Sequence, residues 1–438
     1  MKDLLAQGRT ALYNGTYSQP HLQTLGSESN YRQFEYGMKV YRELLGHPPV
    51  VYAHQEASVH DQVPQLLCQH GITYAVIPGF SSTIEWLGGG SVAIRWGEGP
   101  TFTQGSEFVH WVGLDGTEVP LYLSVPNRPT TVENAVAVER ISGFLGMPPL
   151  MVQVPDLIEV NDEFLEAVKD VDLVLLGEAL DARMIASPPS GRVRFHSNWS
   201  YIEGIQAESL SRANAHAERA LLQREALSVI SLGHANARPG QLDQSVMDER
   251  WKLLLACQHH DVYCFCGPEI KAKAVGWLTE LAAEVDAEIL RISAEILEVS
   301  AEPSGGEPST GEGENHGATI ALFSGIACGA QSPVEVQVNA PFGTLAGPDG
   351  TLVPFDLVSL GDGGHLIRFV GETAGVGYSG YTCGSGTHPL VLVKSLTEPY
   401  DFESQTYTAT ISVDGHVTSL RLKTDGRELI QPGSPGGN

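Results

Sequence analysis

Basic residues are scarce in this sequence: 26 Lys and Arg stand against 52 Asp and Glu, giving a formal net charge of −26. Binding nucleic acid requires clustered Lys and Arg to neutralise phosphates, so that class of partner is excluded. No run of about 18 apolar residues occurs, so no segment is fit to cross a bilayer as a helix, and no membrane partner is expected. Cysteine is sparse and scattered, at positions Cys68, Cys257, Cys264, Cys266, Cys328 and Cys383. These lack the paired spacing of a zinc ribbon, and Cys264-Phe265-Cys266 is one residue too tight for the usual gap. They are expected to be buried thiols in a reducing, cytoplasmic compartment. An export signal is missing too. Met1-Lys2-Asp3-Leu4-Leu5 runs into Ala6-Gln7-Gly8 like the end of a helix, which suggests sequence upstream of it.

What is present suffices for a large fold. The chain has 438 residues, of which 42% are hydrophobic, so several cores can form. The acidity suits a neutral ligand such as a sugar, or a cation, or only a solvated surface. Over residues 1–195, short apolar runs alternate with amphipathic segments. Strands are expected at 9–13, 50–53, 74–77, 150–154 and 172–176, and helices at 27–45, 61–70 and 162–168. Strand–helix alternation implies parallel pairing, hence an α/β barrel or open sheet whose site lies at the carboxyl ends of the strands. Residues 196–300 read as a three-helix bundle, with helices at 207–231, 245–258 and 268–299. Met247, Trp251, Leu254, Leu255 and Gln258 share one face of the second helix, and Trp277, Leu278, Leu281, Val285, Ile289 and Ile292 mark the third. A Gly/Pro/Ser/Glu linker follows at 301–317. Residues 318–398 read as a small β-sandwich with strands at 319–323, 334–339, 366–369 and 390–394. Residues 399–438 read as the start of a further β-domain that the chain does not complete.

Three segments carry a resemblance. Tyr13-Asn14-Gly15-Thr16-Tyr17-Ser18-Gln19-Pro20 continues through Gly26-Ser27-Glu28-Ser29 to Arg32. Residues 51–67 end in Gln62-Val63-Pro64-Gln65-Leu66-Leu67. The third and most specific is Trp251-Lys252-Leu253-Leu254-Leu255-Ala256-Cys257-Gln258-His259-His260-Asp261. In this order they resemble family 38 of the glycoside hydrolases, the zinc-dependent α-mannosidases. A weaker fourth match runs from Ser419-Leu420 through Gly426-Arg427-Glu428-Leu429. The resemblance implies an incomplete (β/α)7-type barrel lacking its first strand, then the helical bundle and sandwich, and a chain truncated at both ends.

It also implies chemistry. Family members hold zinc at the floor of a sugar site and hydrolyse with retention, through a nucleophilic carboxylate and an acid/base carboxyl. By carry-over, His260 is the zinc ligand and Asp261 contacts a sugar hydroxyl. Gln55 falls at the nucleophile position with Glu56 beside it, so Glu56 takes over the role or the chemistry is lost. Asp156, after the strand at 150–154, resembles the acid/base and reads equally as a turn residue or helix cap. Gln19, His21, Glu28 and Arg32 are candidates for lining the pocket. The family's His-x-Asp zinc pair has no counterpart here, and His54 and His60 are the nearby substitutes. Trp111-Val112-Gly113-Leu114-Asp115-Gly116 resembles a recurrent strand and turn with a structural role. The expected activity is α-mannosidase-like hydrolysis of a carbohydrate. The alternative is a catalytically impaired carbohydrate-binding or scaffold protein, and homo-oligomerisation is left open.

Overall fold

The computed structural model describes residues 1–53, 58–78, 82–94, 108–124, 162–167, 169–170, 174–186, 188–197, 207–232, 242–301, 319–325, 328–339, 341–360, 364–373, 375–385 and 397–430. The chain divides into two compact units, Met1–Glu307 and Pro308–Asn438.

The first unit opens with a short helix α1 (Lys2–Ala6) and a 3-10 turn at Leu22–Thr24, then the long α2 (Ser27–Leu45). α2 ends where Gly46 adopts φ 87° and donates its N–H to the Arg42 carbonyl, a left-handed stop that glycine takes without strain. Strands β1 (Val51–Ala53), β2 (Tyr74–Pro78), β3 (Ser82–Trp86), β4 (Ser91–Ile94), β5 (Phe108–Val112), β6 (Glu118–Ser124) and β7 (Arg192–Ser197) form one sheet in the order β1-β2-β6-β5-β7-β3-β4. β1, β2 and β6 run parallel, as strand–helix alternation requires. The β5–β6 and β3–β4 pairs are antiparallel. Tight turns at Gly113–Gly116 and Leu87–Gly90 join these pairs, Gly116 (φ 88°) and Gly89 (φ 106°) reversing the chain, and the first is the turn expected after Trp111-Val112. Among the described residues the sheet is open and mixed, with no closed barrel, and its antiparallel pairs depart from the all-parallel pairing expected.

Side-chain alternation along the strands serves two cores. Tyr52, Ile77, Trp111 and Leu121 face α2 and α3 (Val63–Gln69) through Phe34, Met38, Val63 and Leu67. Val51, Val76, Phe108 and Tyr122 face Leu180 on the other side. Helix α4 (Asp162–Ala167) lies as expected, whereas residues from Leu176 belong to α5 (Leu176–Ala186) and not to a strand. Residues 172–173 of that expected strand, and all of the strand expected at 150–154, lie outside the described residues. The strand expected at 9–13 is reduced to a single bridge between Tyr13 and Val51.

The bundle helices are α6 (Ala207–Leu232), α7 (Gln244–Cys257) and, after the single-turn α8 (His260–Tyr263), α9 (Pro268–Ala301). Asp243 caps α7, its carboxylate accepting from the backbone N–H of Ser245 at 3.0 Å. The helical core holds Leu210, Leu221, Met247, Trp251, Leu278 and Val285, and α2 contributes Tyr36 to it. α2 thus serves both cores, with Phe34 and Met38 turned to the sheet and Tyr36 to the bundle. Trp277 departs from its expected place in the apolar stripe: it is 50% exposed. No described helix is long and apolar enough to cross a membrane. None of the six cysteines is in a disulfide, and Cys68 and Cys328 are exposed, not buried as expected.

In the second unit, β8 (Thr319–Ser324), β9 (Ala330–Val338), β10 (Thr344–Ala346), β11 (Phe355–Ser359), β12 (His365–Thr373) and β13 (Gly377–Gly384) form two sheets, β10-β13-β8 and β11-β12-β9. They share a core that includes Ile320, Leu345, Phe355, Ile367 and Tyr381, as a sandwich does. A further sheet, β14-β15-β16, spans Tyr400–Glu403, Tyr407–Ile411 and Val417–Leu422. The expected strand at 390–394 and most of the expected linker lie outside the described residues.

Candidate functional site

The site is built where the loop before α2 meets the C-terminal end of α7. Asn14 (φ 83°) and Gly15 (φ 101°) turn the chain, and the Asn14 side chain accepts from the Thr16 hydroxyl at 3.0 Å. Tyr17 N–H then donates to the Gln33 carbonyl at 2.8 Å. The loop can lie this close only because position 37 is glycine. A Cβ there would stand 2.2 Å from the Gly15 carbonyl oxygen. Ser18 N–H donates to Gln33 Oε1 at 3.0 Å, and Gln19 follows with φ 53°. A left-handed non-glycine residue costs about 1 kcal/mol or more. Here the cost is offset by what Gln19 holds: its carbonyl accepts from His260 Nδ1 at 2.7 Å and from the His260 backbone N–H at 3.3 Å. Pro20 also bridges to His259.

The α7 end is fixed by a buried amide network. Gln258, fully buried, donates from Nε2 to Ser29 Oγ at 2.8 Å and to Asn214 Oδ1 at 2.9 Å, and its Oε1 accepts from Gln33 Nε2 at 3.0 Å. Two other helices, α2 through Ser29 and Gln33 and α6 through Asn214, are thereby locked to the residue preceding the histidine pair. An apolar substitute would strand several buried polar groups, at about 1–3 kcal/mol each. His259 Nδ1 accepts from Asp261 N–H at 3.1 Å and caps α8. The His259 and His260 rings stack with centroids 4.3 Å apart.

Because His260 Nδ1 donates to a carbonyl, its proton is placed there and the Nε2 lone pair is left toward Asp261, whose Oδ1 lies 3.6 Å away. His21 completes the cluster, with its ring centroid 5.7 Å from that of His260 and its Nε2 3.1 Å from Cys264 Sγ. Burial, reinforced by the neighbouring His260 and His259, lowers the His21 pKa to about 4. A histidine depressed from 6.5 to that value makes stability fall as pH drops through this window, because the unfolded chain takes up the proton first. We expect unfolding free energy to decline by about 3 kcal/mol between pH 6.5 and 4 on this account. A His21→Phe variant should show a flatter profile in urea melts across that range.

The other candidates are placed differently. Arg32 donates from Nε to Glu28 at 2.7 Å and from Nη2 to Glu225 at 2.7 Å, and sits 4.0 Å over the Trp251 ring. Trp251 Nε1 donates to the same Glu225 at 2.9 Å. Glu28 and Arg32 therefore tie α2 to α6 and α7. His60 Nε2 lies 3.1 Å from Asn30 Nδ2, which also donates to the Leu22 carbonyl at 2.9 Å. That contact brings the segment after β1 against the loop that carries Gln19 and His21. Gln55, Glu56, His54 and Asp156 lie outside the described residues. Two features escaped the sequence reading: the amide network and Glu218, whose carboxylate accepts from Ser29 N–H at 3.0 Å at the N-terminus of α2. Gly26 was a signal for it, since a Cβ there would stand 2.3 Å from Glu218 Oε1.

The donor set suits zinc in part. His259, His260 and Asp261 each offer a ligand atom within 4.8 Å of the others. Tetrahedral zinc with nitrogen and oxygen ligands sets donors about 3.3 Å apart, close to the His260–Asp261 separation. His259 fits less well, because its Nδ1 lone pair is committed to the cap of α8.

Comparison with known proteins supplies a partial match in sequence and a broad one in fold. The family model of glycosyl hydrolase family 57 matches residues 1–98. No curated protein matches the chain. An α-mannosidase from Enterococcus faecalis V583 superposes with a TM-score of 0.61 at 14% identity, covering 98% of this chain and 53% of its own. The chain has that fold. A protein of glycosyl hydrolase family 38 from Enterococcus faecalis gives 0.56 at 16% identity, over 98% and 51% of the two chains. The chain thus spans about half the length of both structures. The sequence match falls in family 57 and the structural matches carry the names of mannosidase and family 38.

Proposed function

We propose that this chain carries the sugar site of a glycoside hydrolase acting on α-mannosides or a related glycoside. The observation that supports it best is the bond from His260 Nδ1–H to the Gln19 carbonyl at 2.7 Å. Two segments that resemble one enzyme family at separate places in the sequence meet through that contact. A backbone carbonyl that accepts the Nδ1 proton orients an imidazole for metal ligation through Nε2 and raises its basicity. The family 57 match over residues 1–98 and the mannosidase fold support the hydrolase class by independent routes.

His260 is the residue that would hold zinc, with Asp261 near enough to share the ion or to contact a sugar hydroxyl, and bound zinc would grip and polarise sugar hydroxyls at this site. The chain's own residues do the rest. Gln19 fixes the His260 tautomer, and the Gln258 network holds the α7 terminus rigid against α2. His21, neutral by burial, presents an uncharged wall beside them. Glu56 is the proposed nucleophilic carboxylate, beside the neutral Gln55, and Asp156 the proposed acid/base.

The test is to measure zinc retained after desalting, together with nitrophenol release from aryl α-glycosides of the common sugars. Stoichiometric zinc with turnover on the mannoside supports the reading. Zinc retention without turnover on any of them would sink the hydrolase assignment and leave a sugar-binding relative, the outcome that Gln55 favours.

A further inference from the structure

On the flank of the bundle, α7 and α9 enclose an open groove of about 490 Å³. Its apolar lining is Val246, Leu253, Trp277 and the buried Leu281, and three carboxylates, Glu249, Glu280 and Glu284, border it against one cation, Arg250. Trp277 is 50% exposed and Val246 43%, although the helix period alone would bury Trp277. Two turns before Trp277 on α9, Ile270 is 49% exposed. Seven residues separate them, so both lie on one helix face about 10 Å apart. The apolar stripe thus runs beyond the groove itself and is longer than a compact small ligand would cover.

The charge around it is unbalanced. Glu288 takes both terminal nitrogens of Arg250, at 3.1 and 2.5 Å, and Lys252 takes Glu249 at 2.6 Å. Among the described residues neither Glu280 nor Glu284 forms an ion pair within 4.0 Å, although Glu284 is near enough to Arg250, itself bonded to Glu288, to help raise its pKa. The two glutamates stand one turn apart on the same helix. Like charges at that spacing destabilise a helix, and a cation laid between them relieves the repulsion. An apolar floor with an acidic border, set between two helices, is the complement of a helix that is apolar on one face and basic at its flanks. The indole face of Trp277 adds an attraction for Lys or Arg at the edge. A second copy of this chain is a poor occupant, since its net charge of −26 would repel.

We propose that the α7–α9 groove docks a short basic amphipathic helix of another protein. The occupant places aliphatic side chains against Val246, Leu253 and Trp277 and sets Lys or Arg against Glu280 and Glu284. Nothing in this surface takes part in the His260 site, so the two readings fail separately.

The probe is a synthetic helix with Leu at positions i, i+3, i+4 and i+7 flanked by Lys, titrated against the whole chain. Binding is followed by calorimetry and by the part of the tryptophan fluorescence change that Trp277→Phe removes. The expected result is saturable binding that weakens at least tenfold in Trp277→Ala and in the double variant E280K/E284K. The control Glu43→Lys, on exposed α2 surface, should bind as the parent does. Circular dichroism establishes first that each variant is folded. Equal loss in the Glu43→Lys control would reduce the effect to general acidity and overturn the proposal. So would Trp277 fluorescence that responds to an oligomannoside and not to the peptide, or a dimer abolished by Trp277→Ala in light scattering.

Discussion

Replacing His260 by alanine is expected to lower aryl α-mannoside hydrolysis by more than about 100-fold and to abolish zinc retention. The reason lies in how the imidazole is held. Its Nδ1 proton is spent on the Gln19 carbonyl at 2.7 Å, so only Nε2 remains to serve a metal or a substrate. Alanine removes that lone pair and frees the loop whose carbonyl had faced it. His259→Ala is the informative contrast. That ring accepts from Asp261 N–H and caps α8, so its loss should cost about 1 kcal/mol of stability with a much smaller effect on turnover. Steady-state kinetics and metal content, measured on variants shown to be folded by circular dichroism, separate the two. Equal losses for both would mean that stacking of the pair, and not the Nε2 of His260, carries the site.

Gly37→Ala is expected to destabilise the first unit by more than about 3 kcal/mol, although alanine is the better helix former by about 1 kcal/mol. Gly37 lies inside α2, where propensity alone favours the change. The added Cβ would stand 2.2 Å from the Gly15 carbonyl oxygen and 2.6 Å from the Thr16 carbonyl carbon, both backbone atoms in a loop bonded to α2. Backbone held at both ends cannot step aside as a side-chain tip can. The loop must detach, taking Ser18 and Gln19 away from Gln33 and His260. Urea unfolding would register the stability loss, and activity should fall with it. A neutral or stabilising outcome would show that the loop repacks freely, contrary to the tight fit seen here. Gly26→Ala makes the opposing case: its Cβ would meet only the carboxylate tip of Glu218, which can turn away at the cost of one cap.

The His260 environment also explains why residues expected to line one pocket serve different ends. Gln19 and His21 do reach the histidine pair, Gln19 through its carbonyl and not its side chain. Glu28 and Arg32 sit on the same helix as Gln33, yet Glu28 spends its charge on Arg32, and Arg32 pairs in turn with Glu225 beside Trp251. Spacing on a helix shows which residues share a face. It does not show whether that face meets substrate or another helix.

The extents of α2, α7 and α9 follow from local causes: apolar residues at helical spacing, Asp243 and Pro268 near helix starts, and Gly46 at a stop. Such causes act within a few residues, so the sequence alone determined those helices, the acidic surface and the position of Gln258-His259-His260-Asp261 at a helix end. The exposure of Trp277 and the tautomer of His260 were decided only by tertiary structure. The bond that sets that tautomer joins residues 241 positions apart. A polar group's distant partner is chosen by how whole elements pack, and no local pattern in the chain encodes it.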